Sequence, residues 1–187
     1  MRRLLPDPGE TSISAQLEAY EPCEEVREGR PFVAMNFVAT LDGRATIDGR
    51  SGPIGSDTDT AMMSGLRQRF DAVMIGAGTK RVERYAGLDK RLVVVESQDG
   101  KPADLPELLR SLGEEGVRAV MCEGGPTLHG SLQAEGLVDE LFLTIAPKLA
   151  DGSGPRILEG ALPEVVEMEL AWLLEEDGEL FARYRRS

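Results

Sequence analysis

Two glycine-rich junctions in the sequence have the residue types that bind a phosphate group. "GAGT" at 76–79 follows an apolar run, and "EGGPT" at 123–127 follows "VRAVMC". Glycine lets the main chain approach a ligand closely, and the free N–H groups of a following helix attract an anion. Pro126 suits a first helical turn because it needs no N–H partner. Thr79 and Thr127 each add a hydroxyl donor. Together the junctions favour a dinucleotide, while a tight turn would explain either one alone.

The pattern is not G-x-G-x-x-G, so the usual fingerprint of a Rossmann fold is absent. If a dinucleotide binds, two groups of residues are candidates to contact an adenosine 2′-phosphate. They are the basic residues of 79–81 with Arg84, and Ser97 with Gln98 at the next strand end. A cationic cluster in an acidic protein favours NADPH over NADH. The alternative is that these basic residues form a solvated helix face.

The composition limits the classes of partner. The chain has 187 residues with 21 Lys and Arg against 33 Asp and Glu, a formal charge of −12. Such a surface disfavours nucleic acids and anionic membranes. The two cysteines, Cys23 and Cys122, match neither a zinc spacing nor a disulfide framework, which indicates a reducing cytoplasm. We find no signal peptide or membrane-spanning run in the sequence, and we expect no metal.

The elements that would position the junctions alternate along the chain. Helical segments of ~10–15 residues separate apolar strands, a pattern typical of parallel βαβ units covered on both faces. The predicted strands are 31–40, 71–76, 91–97, 117–122 and 139–149, and the predicted helices are 56–70, a short one from 78, 103–116 and 126–136. "EDGE" near the end indicates an antiparallel hairpin. We predict a three-layer α/β/α domain over 31–187, with a mixed, mostly parallel sheet, preceded by an arm or linker over 1–30.

Four motifs, in order along the chain, carry a family resemblance. The motifs are "FVAMNFVATLDGRAT", "DAVMIGAGT", "CEGGPTLHGSL" and "GLVDELFLTIAPKL". On these motifs, residues 31–185 resemble the pyrimidine reductases of riboflavin biosynthesis, which share the dihydrofolate reductase fold. The H-x-E and P-C-x-x-C ligands of the associated zinc deaminase are absent. The resemblance implies NADPH-dependent reduction of 5-amino-6-(5-phosphoribosylamino)uracil, or a close analogue, to its ribitylamino form. It also implies a homodimer, for which Trp172 is either an interface anchor or a core residue.

The same resemblance implies which residues hold the cofactor. One residue of "ATLDG" lines the nicotinamide side, the "GAGT" junction and the next strand end contact the cofactor, and the second junction holds the pyrophosphate. The positions are Ala39, Gly76, Gly78, Thr79, Ser97, Gly124, Gly125, Pro126, Thr127 and Leu128.

For the substrate, the matching positions are Asn36, Ser51, Arg67 and Glu123. A planar guanidinium binds phosphate through two N–H groups, so Arg67 suits the sugar phosphate. The alternative is a surface arginine at a helix end. Asn36 stands where the bifunctional enzymes have lysine.

The segment after "GAGT" departs from the family pattern. The family has an acidic pair, a proline and then an arginine that contacts the substrate phosphate, whereas this chain reads "KRVERYAGLDKR". We expect Glu83 to replace the acidic residue, and Lys90 or Arg91 to replace the arginine.

Proton delivery has three side-chain candidates, Asp42, Glu83 and Glu123, with water as an equal candidate. Asp42 could instead hold its loop through an Asx-turn. We hypothesise that none of the three is indispensable. Two rival functions remain: dihydrofolate reduction, which needs a carboxylate on the first helix such as Asp57 or Asp59, and a non-catalytic nucleotide-binding paralogue.

Overall fold

A single sheet runs through the computed structural model, which describes residues 1–25, 27–83, 85, 87–97 and 101–187. Its strands in this part of the chain are β1 Arg2–Leu5, β2 Gly9–Glu10, β3 Phe32–Thr40, β4 Ala72–Gly76, β5 Arg91–Val95, β6 Ala119–Cys122, β7 Glu140–Ala146, β8 Met168–Glu176 and β9 Glu179–Arg186. The helices are α1 Ile13–Leu17, α2 Asp57–Gln68, α3 Ala77–Val82, α4 Leu105–Glu114 and α5 Pro126–Ala134. None of them is long and apolar enough to cross a bilayer.

The strand order is β2-β1-β8-β9-β7-β3-β6-β4-β5. Strands β7, β3, β6, β4 and β5 run parallel to one another, and β9, β8, β1 and β2 each pair antiparallel with their neighbours. The predicted mixed α/β sheet and its C-terminal hairpin are confirmed. The antiparallel part is larger than expected, because the N-terminal residues add two strands to it.

Residues 1–30, expected to be an arm or linker, pack on the body of the same chain. β1 pairs with β8, so that Arg2 lies opposite Glu175. The first helix, α1, packs against α2 and buries Leu17. Tyr20 is also buried, and its hydroxyl donates to Glu140 Oε2 at 2.9 Å. This segment therefore extends the sheet and the core beneath it.

Two hydrophobic cores lie on opposite faces of the sheet, which gives the predicted three layers. One core contains Leu66 of α2 and Phe70, and the other contains Leu109 of α4 and Leu132 of α5. Strand β3 lies between β6 and β7 and is apolar on both faces, as a central parallel strand should be. Trp172 is buried against Phe142, with ring centroids 5.9 Å apart, so it is a core residue.

The ends of β4 and β6 lie at the same edge of the sheet. Val73 and Met74 pair with Met121 and Cys122, so both glycine junctions leave the sheet side by side. In open α/β sheets this carboxyl edge is where ligands bind. The fold therefore brings together two motifs that are 47 residues apart in the sequence.

Candidate functional site

The two glycine junctions contact each other directly. The N–H of Gly76 donates to the carbonyl of Gly124 at 2.8 Å. Gly124 has φ +106°, a conformation that favours glycine. A Cβ added to Gly125 would lie 3.1 Å from Thr79 Oγ1, tighter than normal packing. The peptide bond between Gly124 and Gly125 is cis. The backbone of Gly124 thus favours glycine, and a side chain at Gly125 would crowd Thr79.

An open groove of about 1040 Å³, here called the outer groove, runs along these junctions. At its floor α5 begins at Pro126, with Gly125 as N-cap and no side chain capping the first turn. The first-turn N–H groups therefore face a space in which an anion would be stabilised. Nearly all of the predicted cofactor positions line the groove: Gly76, Gly78, Thr79, Ser97, Gly125, Pro126, Thr127 and Leu128.

A smaller cavity of about 280 Å³, here called the inner cavity, adjoins the outer groove. The two share Thr46, Thr79, Val82, Gly125 and Pro126 as walls. The inner cavity collects residues from β3, the 45–55 loop, α2 and both junctions. Among them are the predicted site residues Asn36, Ser51, Arg67, Glu83, Glu123 and Gly124.

Arg67 and Glu123 form an ion pair on the cavity wall. Arg67 Nε donates to Glu123 Oε1 and Nη2 to Oε2, both at 2.6 Å. Tyr85 packs beneath the guanidinium, 5.6 Å from ring centroid to Cζ, and donates its hydroxyl to Glu123. Burial raises the pKa of Tyr85, and the charge of Glu123 raises it further. Neither Tyr85 nor this ion pair was predicted from the sequence.

Glu83 closes the cavity on the side of α3. Its Oε1 accepts hydrogen bonds from the main-chain N–H and the hydroxyl of Ser51, both at 3.0 Å. Two residues that we assigned to different roles are therefore partners of each other. Their contact joins the 45–55 loop to the end of α3.

Asp42, predicted as a proton source, lies outside the lining of both cavities. Its carboxylate accepts from the Thr40 hydroxyl at 2.7 Å and from the N–H groups of Ala150 and Asp151, each at 3.0 Å. These hydrogen bonds lower the pKa of Asp42 to about 2. The same hydrogen bonds favour the ionised carboxylate. The structure thus places Asp42 as a tie between two loops, away from the cavities, and its catalytic role stays a prediction.

Lys90 and Arg91, predicted to contact the substrate phosphate, lie away from both cavities. Arg91 opens β5 and pairs with Ala72 at the start of β4, so it lies at the amino edge of the parallel strands. It forms a 2.7 Å ion pair with Glu115, and Lys90 donates to the carbonyl of Gln68 at 3.3 Å. Neither lines the cavities at the opposite edge, and their assignment to substrate binding stays a prediction.

Three predicted residues remain: Ala39, Arg84 and Gln98. Ala39 is buried in β3 and lines neither cavity. Arg84 and Gln98 lie outside the described residues.

His129, the single histidine, is buried, stacks on Phe37 with centroids 5.1 Å apart, and has a pKa lowered by burial. Within the described ranges, no cluster of His, Cys, Asp and Glu side chains is arranged to hold a metal.

Asp59 is a second titratable residue, after Tyr85, that our site prediction omitted. It lies in the first turn of α2 and lines the inner cavity. Burial raises its pKa to about 6. Its position at the third residue of a capped helix could have been found from the sequence, and we considered it only for the rival dihydrofolate activity.

The sequence matches the RibD C-terminal domain family over residues 31–99 and 80–178. The chain belongs to this family. This match covers the strands and helices that build both cavities, and it agrees with the resemblance seen in the four motifs. The mixed sheet with helices on both faces is the dihydrofolate reductase-like fold of RibD reductases.

Individual relatives differ in length. A protein of Methanothermobacter thermautotrophicus named 2,5-diamino-6-ribosylamino-4(3H)-pyrimidinone 5′-phosphate reductase is 28% identical, over 79% of this chain and 95% of its own. RibD of Bacillus amyloliquefaciens is 26% identical over 72% of this chain, which spans about half (51%) of that relative. The solved structure of a pyrimidine reductase-like protein from Corynebacterium diphtheriae superposes with TM-score 0.75 at 20% identity, over 95% of this chain and 99% of that one.

Proposed function

We propose that this protein is an NADPH-dependent reductase of riboflavin biosynthesis. Its substrate would be 5-amino-6-(5-phosphoribosylamino)uracil or the corresponding diaminopyrimidinone phosphate, and its product the ribitylamino compound. The observation that carries the proposal is the shared wall formed by Thr79, Gly125 and Pro126. Because the outer groove and the inner cavity adjoin at these residues, a dinucleotide bound in the groove can contact a second reactant bound in the cavity there.

The outer groove fits a nicotinamide dinucleotide. A Cβ at Gly125 would crowd Thr79, and the uncapped start of α5 supplies N–H groups for a pyrophosphate. Thr79 and Thr127 add hydroxyl donors on either side of it. When bound, the cofactor supplies a hydride, and the protein supplies its position and surroundings.

The choice of NADPH depends on the adenosine end of the groove. Ser97 lines the groove there, and Lys80 of α3 lies 3.9 Å from Glu96. Lys80 and Ser97 support contact with a 2′-phosphate, whereas Glu96 also lines the groove and carries the opposite charge. The ratio of kcat/KM for NADPH and NADH tests this part of the proposal directly.

The inner cavity suits a polar, amino-substituted ring. The carboxylate of Glu123 and the amide of Asn36 can accept hydrogen bonds from ring N–H and amino groups, and the Ser51 hydroxyl can donate or accept. Arg67 is the arginine that lines the cavity in the described residues, and it supplies positive charge for the sugar phosphate. Its ion pair with Glu123 holds both groups in a fixed orientation.

The test is a steady-state assay of NADPH oxidation with the uracil and the diaminopyrimidinone phosphates. We expect turnover of one of the two, with the ribitylamino product identified by mass spectrometry. An Arg67→Lys variant keeps the charge and loses the planar two-point contact, so its KM for the phosphate substrate should rise. Binding of NADPH without turnover of either pyrimidine would reject the reductase and favour a non-catalytic nucleotide-binding protein.

A second candidate, dihydrofolate reduction, is favoured by one observation. Asp59 places a half-buried carboxyl group of the first long helix in the inner cavity, as the reduction of a pterin ring requires. Including dihydrofolate in the assay above separates the two functions. Turnover of dihydrofolate with no turnover of the ribosylamino-pyrimidines would establish this alternative.

We also propose that the protein is a cytoplasmic homodimer, as the family resemblance implies. Both cysteines, Cys23 and Cys122, are unpaired, which supports a reducing compartment. Analytical ultracentrifugation measures the oligomeric state, and a monomer at micromolar concentration would reject the dimer.

A further inference from the structure

Asp59 lies where an acid could reach a substrate in the inner cavity. It is the third residue of α2, on the face that also presents Met63 and Arg67 to the cavity. A Cβ at Gly55 would overlap the Asp59 carboxylate, so the glycine leaves the space that this group occupies. On its other side lies Thr144 of β7, whose hydroxyl group favours the ionised carboxylate. The carboxyl group therefore lies between a loop and a strand.

The surroundings of Asp59 favour its protonated form. Burial removes water from the carboxylate, and the negative charge of Glu179, itself buried at the start of β9, adds to the cost of ionisation. Glu179 accepts a hydrogen bond from Ser56, the N-cap of α2. These effects exceed the hydrogen bond from Thr144, which acts in the opposite direction, and the pKa of Asp59 rises to about 6.

The other charged groups of the inner cavity are already engaged. Glu123 is paired through both oxygens with Arg67, and Glu83 accepts two hydrogen bonds from Ser51. Both are therefore held as hydrogen-bond acceptors. Asp59 is the carboxyl group of the described cavity lining whose environment favours holding a proton.

The proposed reaction needs one proton at a defined atom. Its substrate has a closed ribose ring, and its product has an open ribityl chain with a hydroxyl group at the former ring oxygen, O4′. In each turnover the C1′–O4′ bond breaks, a C1′–H bond forms with the hydride of the cofactor, and O4′ gains a proton. A nearby carboxylic acid is a suitable donor, since it becomes a stable carboxylate and is reprotonated by solvent.

We propose that Asp59 is the catalytic acid that protonates O4′ as the ribose ring opens. This inference rests on the proposed reductase function and names the residue responsible for its proton transfer. It replaces our hypothesis that no single residue is indispensable for proton delivery, and it moves the role away from Asp42, Glu83 and Glu123.

The test compares Asp59→Asn with Asp57→Asn in the full-length protein. Both variants replace a carboxyl group in the first turn of α2 by an amide of the same size, but Asp57 is exposed and lies outside the cavity lining. We expect kcat of Asp59→Asn with the pyrimidine phosphate to fall about 100-fold or more, with little change in the Kd of NADPH. Asp57→Asn should retain the wild-type kcat.

The pH profile separates an acid from a merely structural residue. Wild-type kcat should fall as pH rises through about 6, because the protonated form of Asp59 is the active one. Thr144→Val removes the hydroxyl group that favours the ionised carboxylate and lowers this pKa, so this fall should move to higher pH. Carboxyl ¹³C NMR of aspartate-labelled apoprotein gives an independent reading: one titrating signal near pH 6, missing in Asp59→Asn.

Each outcome decides a different question. If the wild-type enzyme reduces the pyrimidine and Asp59→Asn has the same kcat and pH profile as wild type, the role of Asp59 is overturned. The reductase function is then unaffected. A wild-type enzyme without activity on either pyrimidine phosphate would overturn the reductase function and this inference together. A titration of Asp59 at the ordinary aspartate pKa would also overturn the inference.

Discussion

Arg67 and Glu123 meet through two parallel hydrogen bonds of 2.6 Å at the wall of the inner cavity. The side chain of Glu123 is only 5% exposed and that of Arg67 is 21% exposed. Arg67 was predicted from its motif as a phosphate ligand alone. Its contact with Glu123 shows that it also neutralises a carboxylate that would otherwise be buried without a counter-charge.

Replacement of Arg67 by methionine should therefore weaken the fold as well as the site. The change leaves the Glu123 carboxylate buried and without its guanidinium partner, so the free energy of unfolding should fall by about 2–3 kcal/mol. Urea denaturation followed by circular dichroism measures this. The double variant Arg67→Met/Glu123→Leu should regain most of the lost stability without regaining activity. Equal stability of Arg67→Met and wild type would contradict the structural role.

Gly125→Ala should reduce cofactor affinity. The new Cβ would lie 3.1 Å from Thr79 Oγ1 and face the outer groove, so we expect the Kd of NADPH to rise on the order of tenfold. The double variant Gly125→Ala/Thr79→Ala removes the internal crowding and serves as the control. Its melting temperature should recover while the Kd stays high. Recovery of NADPH affinity in the double variant would indicate that the groove itself tolerates the methyl group.

Asp42→Asn should lower stability in a manner that depends on pH. Because the folded-state pKa of Asp42 is about 2 against an ordinary value of 3.8, its ionised form stabilises the fold above pH 4. This contribution is lost as pH falls from about 4 towards 2. The melting temperature of Asp42→Asn should therefore be below wild type at pH 7, and the difference should close in acid. A difference independent of pH would contradict this account.

Arg91→Gln should leave substrate binding unchanged. Arg91 lies at the amino edge of the sheet and pairs with Glu115, far from the carboxyl edge that forms the cavities. We expect the KM for the pyrimidine phosphate to equal that of wild type, and the same for Lys90→Gln. The comparison with Arg67→Lys, whose KM should rise, controls for general effects of charge. A higher KM in Arg91→Gln would restore the original prediction.

Much of the fold could be predicted from local patterns. Ser56 caps α2 through its hydroxyl, the hairpin turns at Asp177 and Gly178, and each glycine junction directly follows a strand. These features depend on residues close in sequence, whose chemistry fixes the backbone by itself. Most of the predicted cofactor positions line one groove for the same reason, because they belong to those junctions.

What could not be predicted depends on distant contacts. Arg67 and Glu123 are 56 residues apart, and no local pattern indicates that they meet. Arg91 was placed by its order within a motif, whereas the direction of β5 decides which edge it occupies. The position of Asp59 on α2 is visible in the sequence, but its raised pKa depends on burial and on Glu179, which follows 120 residues later.

The common wall of the two cavities has a consequence for inhibitor chemistry. A compound that links a ribitylamino-pyrimidine to a nicotinamide mimic across Thr79 and Pro126 would occupy both spaces at once. Once one half has bound, the other half is presented at a high effective concentration, so the tethered molecule should bind far more tightly than either fragment. Tether length then becomes the variable to optimise.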